Sequence, residues 1–146
     1  MPGRFQIAVL ACAGLAASFG PAAADTHAFG EWICVETSAE LFDVVIDDGS
    51  HRVNNLSIVE GVNRLSGATV LRLSASVSNR SDAKSPISIE AVGRPESGDH
   101  PIFAVSATPP FGQISGGETE ELKKDIVVSP GTIGEAKDTC VRAMVE

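Results

Sequence analysis

The segment Thr69-Val70-Leu71-Arg72-Leu73-Ser74-Ala75-Ser76-Val77-Ser78 alternates with period two, placing Leu71, Leu73, Ala75 and Val77 on one side and Val70, Arg72, Ser74, Ser76 and Ser78 on the other. Successive side chains of an extended chain point to opposite faces, so the pattern predicts a strand with one face in a core. Asn79-Arg80-Ser81-Asp82-Ala83-Lys84-Ser85 then supplies turn-forming residues, and Pro86, with no N–H to donate, suits the first position of a following strand. Ile87, Ile89 and Ala91 resume the alternation, with Ser88 and Glu90 outward. The two segments are expected to form an antiparallel pair joined by a loop of about seven residues.

Further along, Arg94 to His100 reads as a turn, Pro101 to Ala107 as a strand, and Pro109-Pro110-Phe111-Gly112 and Ser115-Gly116-Gly117 as breaks. A strand is predicted from about Glu120 to Val128, a turn at Ser129-Pro130-Gly131, and a last strand from Thr139 to Val145. Toward the start, Glu31 to Glu36 reads as a first strand. Thr37-Ser38-Ala39-Glu40 has capping-box spacing for one helical turn, and the β-branched end of Leu41 to Ile46 favours a strand. Arg52 to Val62 holds one more strand, in which Leu56, Ile58 and Val59 are expected inside. About seven short strands, with turn signals every 8 to 12 residues or so, predict an all-β antiparallel sandwich.

In rhythm, Thr69 to Val128 resembles bacterial immunoglobulin-like and fibronectin-type-III-like domains. The resemblance rests on an alternating strand ending in Val77-Ser78-Asn79, a polar turn with Pro86, a second strand ending at Gly93, and Gly117-Glu118-Thr119 before another strand. It implies an immunoglobulin-like β-sandwich for residues 25–146 as one domain. The chain departs from antibody-type domains in having no Cys pair in the middle strands, no Trp between them and no Tyr. Such a fold does not specify a function.

Residues 1–24 read differently. Arg4 is followed by an apolar run from Phe5 to Phe19, and Pro21-Ala22-Ala23-Ala24 places small residues before Asp25. This is the pattern of a cleaved secretory signal, predicting a periplasmic or secreted protein with no membrane insertion after cleavage. The leader takes Arg4 with it, leaving the remainder one unit more negative than the −8 of the whole chain. Such a surface repels nucleic acid and anionic lipid, and Lys123-Lys124, flanked by Glu120, Glu121 and Asp125, reads as a solvated face of mixed charge. Beyond the leader two cysteines remain, Cys34 and Cys140. In an oxidising compartment they are expected to form one disulfide between the terminal strands. Closing a loop of roughly 100 residues contributes at most about 4.7 kcal/mol in the chain-entropy model.

Asp47-Asp48 precede His51, and Asp99 precedes His100, in predicted turns. If the turns share one end of the sandwich, Asp48, His51, Asp99 and His100 are candidates for a Zn or Cu site. The plainer expectation is solvent-exposed turn residues, with the acids capping a turn. Asp47-Asp48-Gly49 lacks the alternating acids and closing Glu of a calcium loop. Serines are abundant but no Gly-x-Ser-x-Gly elbow singles one out, so no enzyme activity and no cofactor are expected. Among the few aromatics, Trp32 and Phe103 are expected in the core, and Phe111, beside Pro109-Pro110, is a candidate anchor for protein recognition. These readings converge on an exported, non-enzymatic interaction module whose partner is another envelope protein. The alternative is a periplasmic ligand- or metal-binding protein using the Asp/His turns.

Overall fold

The computed structural model describes residues 25–146, so the predicted leader lies outside the described residues. Among them the chain forms β1 (Thr26–His27), β2 (Ile33–Val35), a 3₁₀ segment (Ser38–Asp43), β3 (Val45–Asp47), β4 (His51–Val62) and β5 (Thr69–Asn79). Then come β6 (Ile87–Arg94), β7 (Phe103–Ala107), β8 (Thr119–Val127), α1 (Thr132–Glu135) and β9 (Asp138–Val145). The strands make a five-stranded sheet of order β1-β3-β4-β5-β8 and a four-stranded sheet of order β2-β9-β6-β7. All pairings are antiparallel except β1 with β3. Among the described residues no helix is long and apolar enough to cross a membrane.

The inward faces of both sheets meet in one aliphatic core. Leu71, Leu73, Ala75 and Val77 come from β5 and Ile87, Ile89 and Ala91 from β6, all as the alternation predicts, joined by Val141 and Ala143 of β9. Phe103 is buried among them, opposite Gly93 on the neighbouring strand. Its ring fills the volume a Cβ on Gly93 would need. The absence of a side chain on β6 is thus what admits the one aromatic of this core cluster.

The expected pairing of β5 with β6 is not formed. β5 pairs with β4 and β8, while β6 pairs with β7 and β9 in the other sheet. Alternation reports which face is buried, not which strand lies alongside, and both edges of β5 are already taken. The intervening loop instead crosses between the sheets. Asn79, 1% exposed, organises it. Its Nδ2 donates to the carbonyls of Ala83 at 2.7 Å and Ile114 at 2.9 Å, and its Oδ1 accepts from the Ser81 N–H at 3.0 Å and Oγ at 2.7 Å.

β4 carries a second departure. The register slips between Asn54 and Ser57, with Asn55 at φ 51°, a left-handed conformation that Asn tolerates better than most residues. The bulge moves the buried positions from odd (His51, Val53) to even (Leu56, Ile58). Val59, expected inside, therefore falls on the solvent face and is 51% exposed.

Shorter-range expectations hold. Glu40 Oε2 accepts the Thr37 N–H at 3.3 Å, opening the 3₁₀ segment that precedes β3. At the far end of the core, Glu60 of β4 receives the N–H groups of Gly131 at 2.7 Å and Ile133 at 3.1 Å, fastening α1 beneath the sandwich. These two bonds hold the Glu60 carboxyl below its ordinary range. Cys34 and Cys140 are bonded as directly opposite residues of β2 and β9, so the bridge lies within one sheet rather than between the two.

Replacing Asn79 by Ala removes the bonds to the Ala83 and Ile114 carbonyls and from Ser81, although each carbonyl keeps a second donor, Ser81 Oγ and the Ser85 N–H respectively. A lost intramolecular hydrogen bond costs about 0.5–1.5 kcal/mol net, and the Asn79→Ala protein is expected to be less stable by about 1–3 kcal/mol. The measurement is the urea midpoint at unchanged slope. A midpoint equal to that of the parent chain would show that the crossing does not depend on this amide.

Candidate functional site

The Asp47-Asp48-Gly49-Ser50 segment forms the tight turn expected between β3 and β4. Asp47 Oδ1 accepts from the Gly49 N–H at 2.8 Å, and Asp48 Oδ1 from those of Ser50 at 2.9 Å and His51 at 2.6 Å. Asp47 also neutralises Arg80 at 3.2 Å and Arg52 at 3.5 Å. His51 is not the solvent-exposed turn residue expected, being 8% exposed. Its first position in β4 directs the ring inward, where Phe29 packs edge-on at 5.8 Å between centroids. Nδ1 lies 3.1 Å from Asp48 Oδ2 and Nε2 lies 2.9 Å from Ser85 Oγ.

An Asp–His–Ser chain of this kind has the connectivity of a hydrolase triad, and the sequence reading did not single it out. Its surroundings do not suit that chemistry. A serine nucleophile must be open to its substrate, whereas Ser85 is buried and its backbone N–H and carbonyl both pair with Ile114. The chain instead links the β3–β4 turn of one sheet to the residues leading into β6 of the other. Burial opposes ionisation of Asp48, but hydrogen bonds from the His51 ring and from the backbone of His51 and Ser50 outweigh it and hold the carboxyl below its ordinary range.

Asp99 and His100 lie at the opposite end. They line a cleft of about 520 Å³ together with Arg94, Lys137 and Asp138, at the Arg94 end of β6. Ser85 lies two positions before the start of β6, whose eight residues, at about 3.3 Å each, keep the two Asp/His pairs more than about 20 Å apart. Asp48, His51, Asp99 and His100 thus do not converge on one ion. The group of three metal-ligating residues brought together among the described residues is Cys34, Cys140 and Asp138, in which both sulfurs are engaged in the disulfide.

Phe111 stands apart from these polar sites. Pro109 to Gly112 form a four-residue turn closed by the Gly112 N–H on the Pro109 carbonyl at 2.9 Å. Pro110 fixes its own φ, and Gly112 at φ 73° takes the left-handed conformation that follows. The turn holds the Phe111 side chain 96% exposed. Lys84, Gln113, Ser115, Glu118 and Glu120 border the same cleft, so the ring rises from a polar surround holding two acids and one lysine.

Trp32 also departs from expectation, at 43% exposure on the outer side of the four-stranded sheet. The Arg142 guanidinium sits 4.5 Å from its ring centroid and pairs with Glu90 at 2.7 Å. The indole covers a charged row rather than filling the core. The free edges are chemically guarded: β8 carries exposed Glu121, Lys123 and Lys124, and β7 is only five residues long. Comparison with protein-family models, curated proteins and solved structures finds no match.

The sign of the Asp48 shift sets a pH dependence. A carboxyl depressed by folding contributes stability that is complete above its unfolded value and is lost as pH falls through the folded one. Asp48→Asn is therefore expected to lower the urea midpoint near neutrality and to differ less from the parent protein in acid. Midpoints at about pH 7 and about pH 3 test this; a constant difference between the two proteins would refute the linkage.

Proposed function

We propose that this protein is an exported, non-enzymatic accessory protein, an immunoglobulin-like β-sandwich acting through contact with another envelope protein in the periplasm or outside the cell. The observation that carries the reading is Phe111, 96% exposed on a turn fixed by Pro110 and Gly112. A turn whose backbone is fixed before binding loses little conformational entropy when its aromatic ring enters a partner's pocket, and buried aromatics supply much of the energy of protein interfaces. The acids bordering Phe111 disfavour anionic lipid as the surface it meets. Export is supported by the apolar leader pattern of residues 1–24 and by the disulfide. The two Asp/His pairs, lying at opposite ends of the sandwich, give no support to a single metal site shared between them.

The test places a photo-crosslinking residue at position 111 of the protein in its own cell envelope. An equivalent residue at Leu65, which is 99% exposed at the β4–β5 turn, is the control. A discrete adduct from position 111 and none from 65 is expected. With the captured partner purified, Phe111→Ala should weaken binding by about 30-fold, the scale of an interface hot spot, while leaving the melting temperature unchanged. Identical adducts from both positions would defeat the proposal.

A further inference from the structure

Cys34 and Cys140 face each other on the outward side of the four-stranded sheet, since Cys140 alternates with the core residues Val141 and Thr139 and pairs across β6 with Val92. Their environments are unequal. Cys34 is exposed, whereas Cys140 is 2% exposed. The strand holding Cys34 is only three residues long, lies at the edge of its sheet and pairs with β9 alone. Next to the bridge, Asp138 Oδ1 is 3.6 Å from Cys140 Sγ, placed to accept a hydrogen bond from a thiol there. Asp138 is itself fixed by the two-pronged Arg94 contact at 2.6 Å.

We propose that the Cys34–Cys140 bond is a thiol-exchange site, opened in the folded protein by the thiolate of an external dithiol attacking Cys34, with Cys140 as the leaving group. The thiolate forms a bond to Cys34 Sγ as the Cys34–Cys140 bond breaks. Cys140 departs with the electron pair, takes a proton from solvent and donates its S–H to Asp138. The second thiolate of the same reagent then attacks the reagent's own sulfur in the mixed disulfide. This releases Cys34 as a thiolate and closes the reagent's disulfide. Two electrons pass to the protein: the dithiol is oxidised and the bridge reduced. Attack is directed by access, because exchange requires an in-line approach to the sulfur and only Cys34 is open to solvent. Once reduced, β2 is held by three residue pairs on one side and separates, uncovering the Thr139–Val141 stretch of β9. The site is independent of Phe111 and of the partner proposed for it.

The experiment exposes the oxidised protein to excess glutathione across a series of urea concentrations below the unfolding transition, with rapid quench and alkylation. Peptide masses then locate the mixed disulfide. Adducts on Cys34 are expected to exceed those on Cys140 by about tenfold or more, at a rate that is flat in urea. Hydrogen exchange of the fully reduced protein should show accelerated amides in β2 and β9 with the five-stranded sheet still protected. A rate that climbs with urea along the slope of global unfolding would overturn the proposal. So would equal labelling of both cysteines, or loss of protection throughout the chain on reduction.

Discussion

The carboxamide of Asn79 uses both of its donors and both of its acceptor positions, three of the four bonds on the loop that carries the chain from the five-stranded sheet to the four-stranded one and the fourth on the Ile114 carbonyl beside it. A buried amide so completely engaged permits one path for that loop, because any other leaves several polar groups without partners in a low-dielectric interior. The path determines which strands become neighbours. With the loop crossing over, β5 stays between β4 and β8, and β6 enters the second sheet between β7 and β9. The aliphatic faces then close on one another, and the narrow space left beside Gly93 is filled by Phe103. The Asp48–His51–Ser85 chain spans the same end of the sandwich and adds a second polar tie between the sheets.

Strand positions and buried faces were legible in the sequence because period-two alternation is a direct record of burial. Leu71 through Val77, and Ile87, Ile89 and Ala91, needed no further information, whereas Ser88, expected outward, is only 5% exposed. Pairing was not legible, since a one-sided strand has the same pattern whichever sheet it joins. The fate of Val59 depended on one extra residue at Asn54–Ser57, a bulge with no compositional mark except the Asn-Asn pair. Among the described residues nine strands are present rather than about seven, and the one with no counterpart in the sequence reading is β1, whose two residues are too few to show a period.

The candidate sites divide in the same way. The disulfide followed from counting cysteines, whereas the Pro-Pro-Phe-Gly setting named Phe111 as a candidate without settling that its ring faces solvent. His51 was misjudged because its burial is set by Phe29 and Ser85, one residue distant in sequence by 22 positions and the other by 34. Trp32 was misjudged because the scarcity of aromatics suggested the core, whereas its position just before β2 puts it over Arg142. Each error concerns a residue whose surroundings are assembled from remote segments.

The position of β9 has a consequence for the order of events during synthesis. It is an interior strand, paired with β2 on one side and β6 on the other, yet it is formed by residues 138–145. The four-stranded sheet therefore cannot close until almost the whole described chain has left the ribosome, and neither can the bond between positions 34 and 140. Such non-local pairing slows folding. Under the export proposed above, that delay would leave the chain unfolded long enough to be threaded through a membrane.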